Sequence, residues 1–240
     1  MLLIYVGFDD TDSLASAEGT GRMTRRIEDV LPPECRLIGV VRQQLLVDPR
    51  IPYTSHNSAA CAIVEAPSRN CLAGIVSRAA AHVEAHHAPE SDPGLCVVCA
   101  DDPAIPRLTA FGARCATELA TQEEAKRAAG GVHLSGHGGT EDGIIGAAAG
   151  VGLTARGWCG RFIEFGRLRA IPETVSVKEL ENLGITVVSS DREAKYPPPA
   201  DRVLTGAWVR PFLWAGRPVL PLLPLGNHQW KPTIGKARKT

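Results

Sequence analysis

Apolar and polar positions along the first hundred residues separate strands from helices. Leu2 to Phe8 is a continuous apolar run, the pattern of a strand covered on both faces, and it stops abruptly at Asp9. Met23, Ile27, Val30 and Leu31 then recur at helical spacing until Pro32-Pro33 closes the segment. Arg36 to Val47 and Ala59 to Ala66 read as a second and a third strand. Ser68 can cap the next helix, in which Leu72, Ile75, Val76, Ala79 and Val83 share one face. Pro89 and Pro93 mark a loop, and Gly94 to Ala100 is a fourth strand. The order βαββαβ over residues 1–103 predicts an α+β fold that opens with a ferredoxin-like unit.

Asp101 to Pro106 reads as a linker into a second α/β region over residues 104–228. The pattern predicts a helix over Ala110 to Ala129, ended by Gly130-Gly131, and a small-residue helix through Ile144, Ile145, Ala148 and Ala149. Further strands are predicted at Arg161 to Arg167, Ile185 to Ser189 and Val203 to Trp214. Residues 229–240, with Lys231, Lys236, Arg238 and Lys239, read as a solvated basic tail.

Charge narrows the choice of partner. Lys plus Arg and Asp plus Glu both number 26, so the formal net charge is zero. Such a chain has no general pull on nucleic acid, and any RNA contact needs a local basic patch. On the totals, tRNA is expected to bind weakly. No stretch approaches the roughly 20 apolar residues that span a bilayer, so no membrane partner is expected. The seven cysteines, odd in number and set in apolar runs, read as reduced thiols of a cytoplasmic protein. Cys96 and Cys99 form a lone C-x-x-C and read as core-strand residues.

Chemistry concentrates in four segments. Asp9, Asp10 and Asp12 stand at the end of the first strand, where α/β sheets gather ligands. Three carboxylates so close repel one another unless a cation compensates, and Mg²⁺ suits the place; a solvated acidic turn has the same composition. Gly19, Thr20 and Gly21 precede the first helix, where free N–H groups can meet phosphate, and Thr20 and Thr24 are possible phosphate acceptors; a plain capped turn is the alternative. Gly136, His137, Gly138, Gly139, Glu141 and Asp142 form a glycine-dense loop with acid, base or metal-binding groups; it is neither a Walker A nor a dinucleotide fingerprint. The polar segment Ile51 to Ser58, with His56 and Asn57, joins the second and third strands.

Together these segments resemble the archaeal tRNA agmatinylcytidine synthetase family, TiaS. The family's Gly-Ile-Asp-Asp-Thr-Asp-Ser motif is similar to Gly7-Phe8-Asp9-Asp10-Thr11-Asp12-Ser13, and its Gly-Met-Cys-Thr-Thr segment to Gly21-Arg22-Met23-Thr24. Its Asn-Pro-x-Ile-Pro and Thr-Arg-Gly-Asn-Gly-Ala segments resemble Asp48-Pro49-Arg50-Ile51-Pro52 and Thr54-Ser55-His56-Asn57-Ser58-Ala59. Its Gly-Asn-Gly-Arg-Gly-Leu-Ile-Gly-Ala loop resembles Gly136 to Ala147, and its Asp-Pro-Val-Leu-x-Gly-Ile-Arg stretch resembles Asp201 to Arg210.

The resemblance implies a kinase-like ATP-using domain with a ferredoxin-like domain. In the family, ATP activates a tRNA cytidine and the amine agmatine displaces the activating group. The family's OB-fold and zinc ribbon have no counterpart here, so a truncated form is expected. The resulting expectation is an ATP- and Mg²⁺-dependent ligase or kinase-like enzyme acting on a nucleotide and a small-molecule co-substrate. Asp9, Asp10 and Asp12 would hold Mg²⁺, with Asp10, Thr20, Thr24, His137 and Glu141 as catalytic candidates. Gly19, Gly21, His56, Asn57, Gly136, Gly138 and Gly139 would contact ATP. The alternatives are a tRNA-modifying enzyme that needs a partner for RNA, and a nucleotide sensor without turnover.

Overall fold

The apolar run at the start of the chain becomes β1 (Leu2–Asp9), flanked on both sides by antiparallel partners, β3 (Ser58–Ala66) and β4 (Gly94–Cys99). The computed structural model describes residues 1–13, 16, 18–51, 56–193, 195–206 and 208–233. β2 (Arg36–Gln44) pairs antiparallel with the far edge of β3. With α1 (Thr20–Arg25) and α2 (Leu72–His86), the element order is βαββαβ and the strand order β4-β1-β3-β2. Alternation along β1 sorts its side chains between two layers. Ile4, Val6 and Phe8 join Met23, Ile75 and Val83 in one core, under α1 and α2.

Tyr5 and Gly7 face the other layer, built by α3 (Ile105–Cys115), α4 (Gln122–Ala128) and α5 (Gly143–Arg156). The small residues of α5 let its backbone lie almost on the sheet, so that a Cβ on Gly7 would overlap the Ala147 carbonyl. β5 (His133–Gly136) extends the sheet beside β4. Residues 104–156 thus pack onto the sheet of residues 2–99. No extended linker separates them: Asp102 Oδ1 accepts from the Ala104 N–H at 2.9 Å, and α3 starts at Ile105.

The same sheet continues through β6 (Arg161–Phe165), which pairs with β2. Beyond it come β10 (Phe212–Trp214), β11 (Arg217–Gly226), β12 (Gln229–Pro232), β9 (Arg202–Leu204) and β7 (Thr174–Ser176). β8 (Thr186–Ser189) lies parallel to β11, and α6 (Val177–Asn182) covers a third core with Phe162, Val203, Leu213 and Trp230. Among the described residues the result is one mixed sheet of 12 strands in an α+β fold.

Several expectations change. The helix predicted over 110–129 is two helices, because Thr121 starts a new one: its Oγ1 accepts the Glu124 N–H at 3.3 Å, while its own N–H donates to Glu124 Oε2 at 2.8 Å. The strand predicted over 203–214 divides into β9 and β10. Residues 229–232 form a strand, not a tail; Trp230 is buried and its Nε1–H donates to Asp201 Oδ2 at 2.8 Å. Lys236, Arg238 and Lys239 lie outside the described residues. Cys96 and Cys99 are buried on opposite faces of β4, one in each core. Among the described residues, no helix is long and apolar enough to cross a membrane.

Candidate active site

β1 ends where α5 begins, and this junction shapes the site. The Asp9 carboxylate lies over the first turn of α5, in space that a Cβ on Gly146 would fill. Asp10 turns the chain with φ at 50°, a left-handed conformation that Asp tolerates better than most residues. Asp12 then fixes the start of α1: its Oδ1 accepts from the Thr20 hydroxyl at 2.8 Å and the Thr20 N–H at 3.3 Å. The Thr20 oxygen in turn accepts from the Thr11 hydroxyl at 3.1 Å. The Thr11 carbonyl ties the turn to the end of α2, accepting the Ala88 N–H at 3.0 Å.

A cavity of about 600 Å³ opens over these residues. Register pairs Asp9 with Gly94, which brings Asp92 opposite the acidic turn. Asp142, just before α5, closes another side, and Glu118 and Glu123 line the mouth. Among the described residues, seven carboxylates and one arginine therefore face the space. That arginine, Arg50, is already committed to Asp48, with Nε–Oδ1 at 2.8 Å. Crowding shows in the acidities. Burial, and then the Asp10 charge, pushes the Asp9 carboxyl up to about 7. Burial, followed by Asp92, Asp12 and Asp142, pushes Asp10 up to about 6.

Of the residues singled out from sequence, Asp9, Asp10, Asp12, Thr20, His56 and Asn57 line this cavity. Gly19 abuts it, where a Cβ would sit 3.4 Å from Asp12 Oδ2. Asn57 also pins the loop, its Nδ2 donating to the Leu46 carbonyl at 2.7 Å. Thr24 does not reach the space: it is fully buried, and its hydroxyl donates to the Thr20 carbonyl at 2.8 Å. Gly21 faces Ile163 of β6 instead of the cavity. Residues 52–55 lie outside the described residues.

The glycine-dense loop is set apart. Gly136 and Glu141 line a second cavity of about 450 Å³, on the side of Lys126. His137 turns away from the acidic site, its Nε2 2.8 Å from Ser135 Oγ and its Nδ1 3.4 Å from Glu84 Oε1. Gly138 and Gly139 pass beside Asp92, and Thr140 holds that carboxylate through its N–H at 2.7 Å and its hydroxyl at 2.9 Å. The loop therefore positions Asp92, a site residue that sequence reasoning missed. Its only signal is tertiary: Asp92 matters once β4 is paired against β1.

Among the described residues, no group of three or more His, Cys, Asp or Glu is arranged to hold a metal ion. Mg²⁺ asks for less, taking one or two carboxylates and completing its shell with water and phosphate oxygens. Asp9 and Asp10, adjacent and short of counter-charge, fit that requirement.

No protein-family model matches the chain, and no curated protein matches it. Solved structures do. TiaS in complex with its tRNA and ATP matches 63% of this chain at 25% identity, with a TM-score of 0.54. At the level of the fold, this chain resembles TiaS. A tRNA fluorescent labeling enzyme matches 62% of this chain at 26% identity, with a TM-score of 0.52. TiaS with the same tRNA, AMPCPP and agmatine matches 63% at 25% identity and 0.51. The matched region spans 36% of each of those TiaS and labeling-enzyme chains.

Proposed function

We propose that the chain is an ATP- and Mg²⁺-dependent enzyme, ligase-type or kinase-like, that activates a substrate for attack by a small amine or hydroxyl. The observation behind this reading is the convergence of seven carboxylates on one cavity whose single described arginine is already paired. A triphosphate cannot approach such a surface without cations, and a cationic amine is drawn to it. TiaS-like neighbours solved with ATP and with agmatine support the same pairing of ligands.

In this reading Asp9 and Asp10 would hold Mg²⁺, which would supply the neutralisation of phosphate charge that phosphoryl transfer requires. Asp12 fixes the start of α1 and accepts the Thr20 hydroxyl proton, which makes Thr20, rather than buried Thr24, the better nucleophile or phosphate acceptor. Asp92, Asp142, Glu118 and Glu123, which line the cavity, would orient an amine. His56 and Asn57 bound the nucleotide's side of the opening. The βαββαβ unit with its β4-β1-β3-β2 sheet we assign to the ferredoxin-like class, in a cytoplasmic protein.

Incubation with ATP, Mg²⁺ and amines, followed by separation of nucleotide products, tests the reading. ADP with phosphate or AMP with pyrophosphate is expected; tight ATP binding with neither product would favour a sensor. A tRNA-modifying role is the second reading, favoured by the neighbours solved with tRNA.

The acidities give a test of their own. Asp9 and Asp10 hold protons more tightly folded than unfolded, so their contribution to stability is complete below about pH 4 and is lost as pH rises through 6 and 7. The metal-free protein should melt at a lower temperature at pH 8 than at pH 5.5. Mg²⁺ should raise the melting temperature at pH 8 and do little at pH 5.5. Asp9→Asn should flatten both trends in a calorimetric melt; a variant that follows the wild type would remove Asp9 from the account.

A further inference from the structure

Arginines gather on the sheet face beside α1, although the chain as a whole is neutral. Register places Arg42 of β2 directly across from Arg161 of β6, and Arg161 across from Phe212 of β10. Antiparallel partners point to one face, so a row runs from Arg42 through Arg161 to Phe212. The Arg161 guanidinium lies over the Phe212 ring, 4.5 Å from its centroid. Phe212 stacks on Trp214 with ring centroids 4.8 Å apart. Arg210 and Arg169 both lie over Trp208, at 4.1 and 4.5 Å.

Counter-charge is scarce here. Among the described residues Arg161 and Arg210 make no ion pair. Arg42 donates to the Ser58 hydroxyl at 2.8 Å and has the Asp12 carboxylate as its nearby counter-charge. One carboxylate, Glu164, is shared between Arg25 at 3.6 Å and Arg169 at 3.4 Å. The Arg210 Nε is buried without a hydrogen-bond partner. Burial, and then the charges of Arg42, Arg161 and Arg169, hold the Arg210 pKa below the usual guanidinium range. Holding like charges this close and partly out of water is unfavourable until an anion joins them.

We propose that this face is a docking platform for a single-stranded polynucleotide, with phosphates on Arg42, Arg161, Arg169 and Arg210 and a base against Trp214. Arg42 and Arg161 sit on neighbouring strands about 4.8 Å apart, and Arg169 and Arg210 reach the same face from the turn after β6 and the segment before β10, a spread wider than one phosphate needs. The planar fork of Arg matches phosphate oxygens in pairs. Interleaved aromatic rings suit bases, and an acidic peptide would leave them unused. The platform borders the acidic cavity at Arg42, which feels the Asp12 charge, so the substitutions that test it are made at Arg161 and Arg210, away from that cavity.

Fluorescence anisotropy with a labelled single-stranded RNA tests it, with salt varied over about 50 to 200 mM. Four phosphate contacts predict a slope of log affinity against log salt near −2.8, at roughly 0.7 per contact on a single strand. The double variant Arg161→Gln, Arg210→Gln should bind about tenfold more weakly and lose about 1.4 of that slope. Arg161→Lys should keep most of the slope. Both variants should keep the wild-type melting temperature, which shows that they fold, and the wild-type response to Mg²⁺·ATP, which separates this test from that of the cavity. If the double variant fails to fold, Arg161→Gln alone, on the partly exposed strand, should lose about 0.7. Absent RNA binding, or a slope unmoved by these changes, overturns the platform. Displacement of the RNA by polyglutamate at equal charge concentration overturns the choice of a polynucleotide.

Discussion

Asp10→Asn is expected to lower ATP turnover about 100-fold while leaving the protein as stable as before or more so. The loss is the usual size when one preorganised charge-stabilising group is removed from a transition state. The stability follows from position. Asp10 occupies a left-handed turn that Asn also tolerates, so the backbone has no reason to move. It also stands among Asp12, Asp92 and Asp142, whose charges oppose its own, so the neutral amide relieves repulsion. A group retained against stability is the mark of a working site. Turnover by product analysis, Mg²⁺·ATP affinity by calorimetric titration and a thermal melt check the three parts. Unchanged turnover with a stabilised fold would make the acidic turn a structural feature only.

Gly94→Ala should cost about 3 kcal/mol, at the upper end for an overpacked position. Gly94 begins β4 where Gly143 begins α5, and a Cβ there would overlap the backbone of Gly143 and Ile144. Both partners are main chain, and the Gly143 N–H is held by the Asp92 carbonyl at 2.9 Å, so neither can rotate aside. Denaturant unfolding measures the loss. Gly146→Ala makes an informative contrast. Its Cβ would overlap the Asp9 carboxylate, which rotation can carry away, and would press on the Asp9 Cβ at 2.9 Å, which needs only a small shift. That variant should stay nearly as stable and lose the Asp9-dependent response to Mg²⁺. A small effect at Gly94 would mean that α5 can shift away from the sheet at little cost.

The first hundred residues were legible because each element there follows its own local rule. The apolar run of β1, the helical spacing of α2 and the abrupt acidic turn all read directly from sequence. Later elements were harder for identifiable reasons. β11 contains Pro218, Pro221 and Pro224, which argue against a central strand, yet it pairs with β10, β12 and β8. The capping box at Thr121 and Glu124 was written in the chain, but the apolar pattern ran on through it. Asp92 and the arginine face depend on strand register, which no single segment encodes. Net charge hid the second of these, because 26 acidic residues balance 26 basic ones only when position is ignored.

The pairing of β2 with β6 has a consequence for synthesis. Every described residue lining the acidic cavity has left the ribosome by Gly146, yet β6 follows only at Arg161. Until then the outer edge of β2, which β6 later covers from Gly39 to Arg42, is open to any neighbouring nascent chain. The interval between completing the acidic cavity and sealing that edge is therefore when this protein is most exposed to aggregation, and fragments ending near residue 156 should self-associate even though their acidic cavity is whole.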